Sequence, residues 1–349
     1  MISLVRLAVR AAAGKRHAPG VARFMLDVDR QCRGLARELD TRTYRPATGH
    51  AFAIVDPKPR RIYALPFRDR VAQHALIDAT LQGIERTLAP QTHACRVGRG
   101  THVCLRRAIE LTRTKRFVLR VDFTKFFASI DHAVLRTQLD RTTPRDLRWL
   151  RDVFIDAPLP PGAIESVVHH FPGDDLFTPI ERPHGLPIGS LTSQIWANLV
   201  LSPIDHLLAD HLGLGTFVRY CDDILVFDDD PGRLRNALAA LHEAAVRLRL
   251  RPHVRKTRLH RTRDPVRFLG FVLQRRGDGV RVTLAQDNVQ RMRQRVAGMQ
   301  AEFAAGGIEL DEVTARVRAW LAHAAHGHTR ALLRGELARW TFCREGGPG

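Results

Sequence analysis

Two adjacent aspartates interrupt an apolar run in the segment RYCDDILVF, residues 219–227. The flanking residues are mostly β-branched and aromatic, which is typical of a buried hairpin. A buried carboxylate is costly unless it pairs with a cation or binds a metal. Asp122 likewise ends an apolar run, VLRVD. Asp122, Asp222 and Asp223 can meet only if the two runs lie side by side in one sheet, and the pattern predicts this arrangement.

Three converging carboxylates would repel one another, and divalent cations offset such repulsion. Mg²⁺ takes oxygen ligands and usually keeps substrate phosphates in its shell. Two such ions about 3.5–4 Å apart can activate a 3′-hydroxyl and stabilise a leaving pyrophosphate. The Asp-Asp pair is equally typical of a simple hairpin turn, so the pair alone leaves both interpretations open.

The chain is strongly basic, and the excess charge is uneven. Its 349 residues contain 55 Lys and Arg against 36 Asp and Glu, a formal net charge of +19. Segments 56–120 and 231–281 each carry 14 basic residues, against five and three acidic ones. This distribution predicts two basic surfaces that bind the same polyanion. The alternative is a pair of solvated basic faces.

The sequence lacks the patterns that are typical of zinc-binding, disulfide-rich, secreted and membrane-spanning proteins. The five cysteines form no CxxC pair, so neither a zinc site nor a disulfide framework is indicated. The basic N-terminus lacks the apolar core of a signal peptide. No run reaches the ~18–20 apolar residues of a membrane span. We therefore expect a cytoplasmic protein that does not cross a membrane.

The hydrophobic periodicity predicts an α+β fold with one mostly antiparallel sheet. Hairpins are predicted around residues 56–59, over 216–230 and over 266–284, a strand over 116–122 and a loop over 156–184. Ser190 is the predicted N-cap of a long helix. The predicted helices are 1–42, 69–88, 102–114, 190–212, 232–250 and a helical tail over 286–341.

Six segments, in order, resemble the motifs of reverse transcriptases. RYCDDILVF resembles the YxDD motif, and LRVDFTKFFASIDH resembles the first metal-binding motif. HGLPIGSLTSQIWANLVLSPID resembles the motif that contacts template and nucleotide. RPHVRKTRLH and VRFLGFVL resemble the lysine motif and the primer-grip hairpin, and DPKPRRIYALPFRDRVAQHAL resembles the fingers motif. The resemblance covers about residues 44–275.

The resemblance implies the right-hand polymerase fold and RNA-directed synthesis of DNA. The substrates would be an RNA template, a DNA or RNA primer and deoxynucleoside triphosphates. The implied domains are a helical N-terminal extension over 1–43, fingers over 44–120, a palm over 121–284 and a helical thumb over 285–349. The palm would include some fingers elements, at about 145–200.

The resemblance also implies the roles of individual residues. Two Mg²⁺ ions, for which Mn²⁺ can substitute, would bind Asp122, Asp222, Asp223 and the Phe123 carbonyl. Lys256 would protonate the pyrophosphate or, alternatively, bind the nucleic-acid backbone. The implied nucleotide-binding residues are Lys58, Arg60, Arg61, Phe127, Ile188, Gly189 and Gln194. The implied primer and template contacts are Arg68, Arg70, Tyr220, Phe268, Leu269 and Gly270.

Three further assignments, those of Phe127, Arg68 and Arg70, have alternatives. Phe126 or Phe127 could be a core residue, since neighbours on a strand point to opposite faces. Arg68 and Arg70 could pair with Asp69 and Asp78 instead of meeting template phosphate.

The spacing Ile188-Gly189 followed by Ser193-Gln194 resembles the reverse transcriptases of diversity-generating retroelements. Ile188 stands where retroviral and group II intron enzymes usually have Gln. Ile in place of Gln removes a hydrogen-bonding group near the nascent base pair, which should lower the fidelity of copying. The resemblance implies copying errors chiefly opposite template adenine, and a small basic accessory protein in a bacterial or phage system. The alternatives are a packing variant in another group II-like or defence-associated enzyme, and a non-catalytic RNA-binding protein.

Overall fold

The computed structural model describes residues 3–55 and 59–344, with helices and strands intermixed along the chain. The helices are α1 Leu4–Ala12, α2 Pro19–Leu26, α3 Val28–Asp40, α4 Phe67–Thr87, α5 Thr101–Thr114, α6 Phe126–Ser129, α7 His132–Leu139, α8 Arg148–Ile155, α9 Thr178–Glu181, α10 Leu191–Val200, α11 Ser202–His206, α12 Pro231–Arg247, α13 Gln286–Ala304, α14 Leu310–Ala324 and α15 Arg330–Leu337. The strands are β1 His50–Val55, β2 Pro59–Ala64, β3 Phe117–Val121, β4 Phe217–Tyr220, β5 Asp223–Asp228, β6 Arg258–Arg261, β7 Val266–Phe268, β8 Phe271–Arg276 and β9 Gly279–Leu284. Among the described residues the paired strands are antiparallel, which confirms the predicted α+β class, but they form three sheets and not the one that was predicted.

The central sheet has the strand order β4-β5-β3-β6. β3 pairs with β5, with Val121 opposite Ile224, so the two carboxylate-bearing runs are neighbours as predicted. β6 forms the other edge, with Arg258 opposite Arg120. The sequence did not predict β6 as a strand, because this edge strand, RLHR, is polar and lacks the apolar alternation of a buried strand.

Alternate residues of β3 enter two different cores, because successive side chains of a strand point to opposite faces. Leu119 and Val121 pack in a core that includes residues of α10 and α12. Val118 packs on the opposite face in a second core, with residues of α5 and of β8. The sheet is therefore covered on both faces, which makes it a rigid support for residues at its end.

The segment 266–284, predicted as a hairpin, is a three-stranded meander, β7-β8-β9. Phe268 pairs with Phe271, so Leu269 and Gly270 form a two-residue turn. Both turn residues have positive φ, 50° and 83°. A tight two-residue turn of this kind matches the twist of antiparallel strands.

Two helical predictions need correction. The long helix predicted over 190–212 is interrupted after Val200 and ends in a π-helical turn, Leu207–His211. Pro203, which has no backbone N–H to donate, lies in the first turn of α11. Ser190 occupies the N-cap position of α10, but its hydroxyl accepts from Gln73 Nε2 at 2.7 Å instead of capping the helix.

Among the residues that the structure describes, no helix is both long and apolar enough to cross a bilayer. The predicted helical region 1–42 consists of α1, α2 and α3, and the helical tail consists of α13, α14 and α15. The predicted loop over 156–184 contains the short helix α9.

Asp131 is a buried carboxylate that joins three segments of the chain. Its side chain is 1% exposed and caps α7 by accepting from Val134 N at 2.9 Å. Arg249 Nη1 donates to it at 2.7 Å, and Arg182 Nε lies 3.5 Å away. The start of α7 is thereby tied to residues that follow α9 and α12.

Asp131→Asn is expected to lower the free energy of unfolding by about 3 kcal/mol, because two arginines lose their buried anion. Asp131→Ala should cost about 1 kcal/mol more, because the N-cap acceptor is also lost. Urea denaturation measures both, with the exposed Asp210→Asn as the matched control. Equal losses for the Asn and Ala variants would contradict the capping contribution.

Candidate active site

The three predicted carboxylates lie together at one end of the central sheet. Asp122 follows β3 directly, and Asp223 is the first residue of β5. Tyr220 pairs with Asp223, so Cys221 and Asp222 form the turn between β4 and β5. Cys221 has a φ of 53°, which is uncommon for a residue other than glycine. The tight turn explains how Asp222 leaves an otherwise buried hairpin.

Two carboxylates of this cluster, Asp222 and Asp223, have raised pKa values. Burial, with the charge of Asp122 adding to it, raises the pKa of Asp222 to about 6. Burial also raises the pKa of Asp223 to about 7, and the neighbouring Asp222 and Asp122 add to that rise. The favourable charge of Arg120 opposes the rise at Asp223. The site thus holds concentrated negative charge that a cation would stabilise.

Cationic side chains from separate segments contact the cluster. Lys256 Nζ lies 2.9 and 3.1 Å from the two carboxylate oxygens of Asp122. The segment that carries Lys256 is attached to the end of β3, because His253 N donates to the Asp122 carbonyl at 2.7 Å. Arg120 Nε donates to Asp223 at 3.2 Å. Arg60 lies near enough to lower the pKa of Asp222.

The donor set fits a hard divalent cation, although the side chains are not arranged around one. Within residues 3–55 and 59–344, no three His, Cys, Asp or Glu side chains converge as a metal site. The ion pairs explain this, because Asp223 contacts Arg120 and Asp122 contacts Lys256. Asp122, Asp222 and the Phe123 carbonyl offer only oxygen ligands, which suit Mg²⁺. Cation binding would require Lys256 to release Asp122.

Phe126 and Phe127 begin the short helix α6, and they do not lie on a strand as the alternation argument assumed. Phe126 is 3% exposed and belongs to the core, with its ring centroid 6.0 Å from that of Phe123. Phe127 is only partly buried. Of the two, Phe127 remains the candidate for contact with a sugar.

Ile188 and Gly189 lie directly against the β1-β2 hairpin. Tyr63 N donates to the Ile188 carbonyl at 2.7 Å. Gly189 has a φ of 113°, and a Cβ atom there would lie 2.6 Å from the Tyr63 carbonyl oxygen. Only glycine fits this approach. The contact brings the segment to the strand that carries Arg60 and Arg61.

The predicted basic residues of this hairpin differ in their surroundings. Arg60 is exposed, and Arg61 Nη1 donates to the Pro161 carbonyl at 3.3 Å. Lys58 lies outside the described residues.

Gln194 is exposed on α10 and accepts from the Cys95 thiol at 3.5 Å. It lines a cavity of about 580 Å³ between the N-terminal helices, the β1-β2 hairpin and α10. Gly189 and Arg70 line the same cavity. The structure therefore brings two predicted nucleotide-binding residues, Gly189 and Gln194, and one predicted primer or template contact, Arg70, to one cavity.

Arg68 and Arg70 have different environments. Arg68 pairs with Glu38, lies 3.6 Å from Asp69 and stacks over the ring of Tyr44. Arg70 lies over the Phe67 ring, and its buried Nε has no hydrogen-bond partner. Arg68 thus forms the structural pair with Asp69 that was the alternative, whereas Arg70 remains available to a ligand.

Asp78 pairs with neither arginine. Its carboxylate forms an ion pair with Arg10 instead, with Nη1 3.0 Å from Oδ1.

The predicted primer contacts divide into turn residues and a core residue. Phe268 is 1% exposed, so its ring packs in the second core and does not face a ligand. Leu269 and Gly270 are partly buried at the turn. Gly270 lies near His323 of α14, since an added Cβ would be 3.5 Å from His323 Nε2. The Tyr220 hydroxyl accepts from Thr101 Oγ1 at 3.1 Å.

Two arginines of the site were missed by sequence reasoning. Arg120 lies on β3 and Arg219 on β4, both within apolar runs that end at the carboxylates. A cation inside a run that otherwise predicts a buried strand is the signal that could have identified them.

Comparison with known families agrees with this geometry. The family described as Reverse transcriptase (RNA-dependent DNA polymerase) matches residues 56–273, more than half of the chain. The match includes the three carboxylates, Lys256 and the turn at Leu269 and Gly270. No curated protein matches the chain significantly.

The raised pKa of Asp222 predicts a pH dependence of stability in metal-free buffer. The folded protein keeps this carboxyl protonated up to about pH 6, whereas the unfolded chain releases the proton near ~3.9. The contribution of Asp222 to stability is therefore lost as pH rises from about 4 to 6, and it stays lost above that window. We expect wild type to lose about 1–2 kcal/mol more across this window than Asp222→Asn.

Chemical denaturation in EDTA at several pH values measures the difference. Asp278→Asn, which removes an exposed aspartate from the turn between β8 and β9, serves as the control and should follow wild type. Parallel curves for wild type and Asp222→Asn would contradict the assignment.

Proposed function

Because the chain belongs to the reverse transcriptase family, and is thus an RNA-directed DNA polymerase with the right-hand fold, we propose that it is the error-prone enzyme of a diversity-generating retroelement. The polymerase activity implies a nucleic-acid template and nucleotide substrates. The finer assignment depends on Ile188 and on the segments that surround it.

The pairing of β3 with β5 is the observation that carries the catalytic assignment. It places Asp122 beside the turn that bears Asp222 and Asp223. Reverse transcriptases use divalent metal ions, and we assign two Mg²⁺ ions, replaceable by Mn²⁺, to Asp122, Asp222, Asp223 and the Phe123 carbonyl. Asp223 adds the third negative charge, oriented by Arg120. The bound ions would neutralise charge on the phosphates and activate the attacking hydroxyl.

Lys256 is assigned to the leaving pyrophosphate. Its side chain is 42% exposed, so it can turn from Asp122 towards a phosphate in the cleft. A Lys ammonium acts as a point charge with rotatable donors, which suits a group that changes partner. A contact with the nucleic-acid backbone is the alternative role.

The nucleotide would lie between the β1-β2 hairpin and the palm. Arg60 and Arg61 on β2 supply charge for the triphosphate, and Arg geometry permits bidentate contacts. Phe127 and the Ile188-Gly189 segment would contact the sugar and base. Arg70 and Gln194 line the adjacent cavity, where an RNA template strand fits their chemistry.

The basic segments 56–120 and 231–281 would hold the backbones of the RNA template and of a DNA or RNA primer, mostly without reading sequence. We assign residues 1–43 to an N-terminal extension, 44–120 to the fingers, 121–284 to the palm and 285–349 to the thumb. Cytoplasmic action in a bacterial or phage system, with a small basic accessory protein, belongs to the same proposal.

Ile188 supports the mutagenic assignment. Its backbone is fixed against Tyr63, so its side chain occupies a set position beside the hairpin. An aliphatic side chain there offers no hydrogen bond that could favour a correct base pair. A group II-like or defence-associated enzyme with faithful copying is the nearest alternative.

A non-catalytic RNA-binding protein is the remote alternative. It would have no need for three buried carboxylates at one sheet end, and it predicts RNA binding without incorporation of nucleotides.

Asp222→Asn is expected to lower the rate of nucleotide incorporation by about 1,000-fold, because a ligand of the cation is lost while the fold remains. Primer extension on an RNA template with Mg²⁺ measures this effect. Asp229→Asn is the matched control. RNA affinity should stay within a factor of two, and incorporation within tenfold of wild type would refute the catalytic role.

Ile188→Gln is expected to reduce misincorporation opposite template adenine by about tenfold, because it restores a hydrogen-bonding group. Sequencing of the cDNA from a defined RNA template measures the error at each base. Ile180→Gln, at a position that is 69% exposed on α9, is the control. Unchanged errors at adenine would refute the mutagenic assignment and leave the polymerase assignment intact.

A further inference from the structure

Arg219 is a fully buried cation on the strand that leads into the catalytic turn. It lies on β4, next to Tyr220, and its side chain is 0% exposed. Buried charges are retained only where partners satisfy them. Its five N–H donors therefore need acceptors inside the protein.

The guanidinium group is held by three side chains from outside the strand. Nε donates to Asp205 Oδ1 at 2.7 Å, and Nη2 donates to Asp205 Oδ2 at 2.5 Å. Nη2 also donates to Thr92 Oγ1 at 3.1 Å, and Nη1 donates to Asn198 Oδ1 at 3.3 Å. Asp205 is also fully buried, so the ion pair is shielded from solvent.

One bond of the group is directed at the catalytic turn itself. Nη1 donates to the Cys221 carbonyl at 3.1 Å. That carbonyl belongs to the peptide linking Cys221 to Asp222, and Cys221 has the uncommon φ of 53°. A sparsely populated backbone conformation persists where its surroundings hold it. The bond therefore fixes the peptide from which the Asp222 side chain extends.

The three residues whose side chains bind Arg219 come from three separate segments of the chain. Thr92 follows α4, Asn198 lies on α10 and Asp205 lies on α11. The backbone of Arg219 is bonded to the first of these segments on both sides, from its N–H to the Gln91 carbonyl and from His93 N–H to its own carbonyl, each at 2.9 Å. Through Arg219, the turn is held in position relative to three other segments of the chain.

We propose that Arg219 is a positioning residue, which sets the direction of the Asp222 carboxylate through the Cys221 carbonyl and thereby the affinity for the divalent cation. This inference rests on the proposed role of Asp222 as a cation ligand. An ion pair with Asp205 alone would need only Nε and Nη2. Nη1 is the nitrogen that reaches the turn, and a lysine could satisfy Asp205 without reaching it.

The test is Arg219→Lys, with binding of Mn²⁺ measured by electron paramagnetic resonance of the free ion. We expect the Kd for Mn²⁺ to rise about tenfold and kcat to fall at least tenfold, while KM for deoxynucleotide stays within about twofold. A folded Arg219→Lys protein with wild-type Mn²⁺ affinity would overturn the proposal.

Thr92→Val is the matched control. It removes a hydrogen bond to Nη2, which does not contact the turn, so the melting temperature should fall while the Kd for Mn²⁺ stays at the wild-type value. A weakened Mn²⁺ affinity in this variant, equal to that of Arg219→Lys, would show general loosening and overturn a specific role of Nη1.

Asp222→Asn separates this proposal from the proposed function. If it binds Mn²⁺ like wild type, the role of Asp222 as a ligand fails. If it loses Mn²⁺ while Arg219→Lys retains it, only the role of Arg219 fails.

Asn198→Ala decides the matter if Arg219→Lys does not fold. It removes the side-chain acceptor that holds Nη1 beside the Cys221 carbonyl, without removing a charge. A raised Kd for Mn²⁺ then supports the proposal, and an unchanged Kd overturns it.

Discussion

Mutual repulsion among Asp122, Asp222 and Asp223 is the constraint on which the rest of the site depends. The sheet forces them together, because β3 and β5 are neighbours and cores on both faces keep the strands in place. Burial raises the pKa values of Asp222 and Asp223, and the repulsion among the carboxylates adds to that rise. A fold that keeps such a cluster gains the capacity to bind divalent cations next to a phosphate.

Cations from separate parts of the chain offset the repulsion. Arg120 comes from β3 itself, Lys256 from the segment after α12, and Arg60 from β2. The exposed Lys256 can exchange partners, whereas Arg219 is locked between Asp205 and the turn. The site therefore combines exchangeable charges, suited to a substrate that enters and leaves, with a fixed charge that maintains geometry.

The sequence predicted the chemistry of the site more completely than it predicted which residues are in contact. Asp222 and Asp223 stand out because carboxylates are rare in apolar runs, and the β-branched and aromatic residues beside them predict the strands. Gly189 was identified from its motif, but the reason that glycine is needed, its approach to Tyr63, involves residues more than 120 positions apart. The ring of Phe268 was assigned to the primer, although it lies in the core, because a motif does not reveal which side of a turn is buried.

The amino-acid order by itself determined most of the strands, the basic segments and the three carboxylates, because local residue patterns and charge are properties of short segments. Tertiary structure alone decided which cations meet those carboxylates. Arg219 looks like an ordinary strand residue until Thr92, Asn198 and Asp205 enclose it. Such partners are separated by up to about a third of the chain, and only the packed sheet and helices bring them within hydrogen-bonding distance.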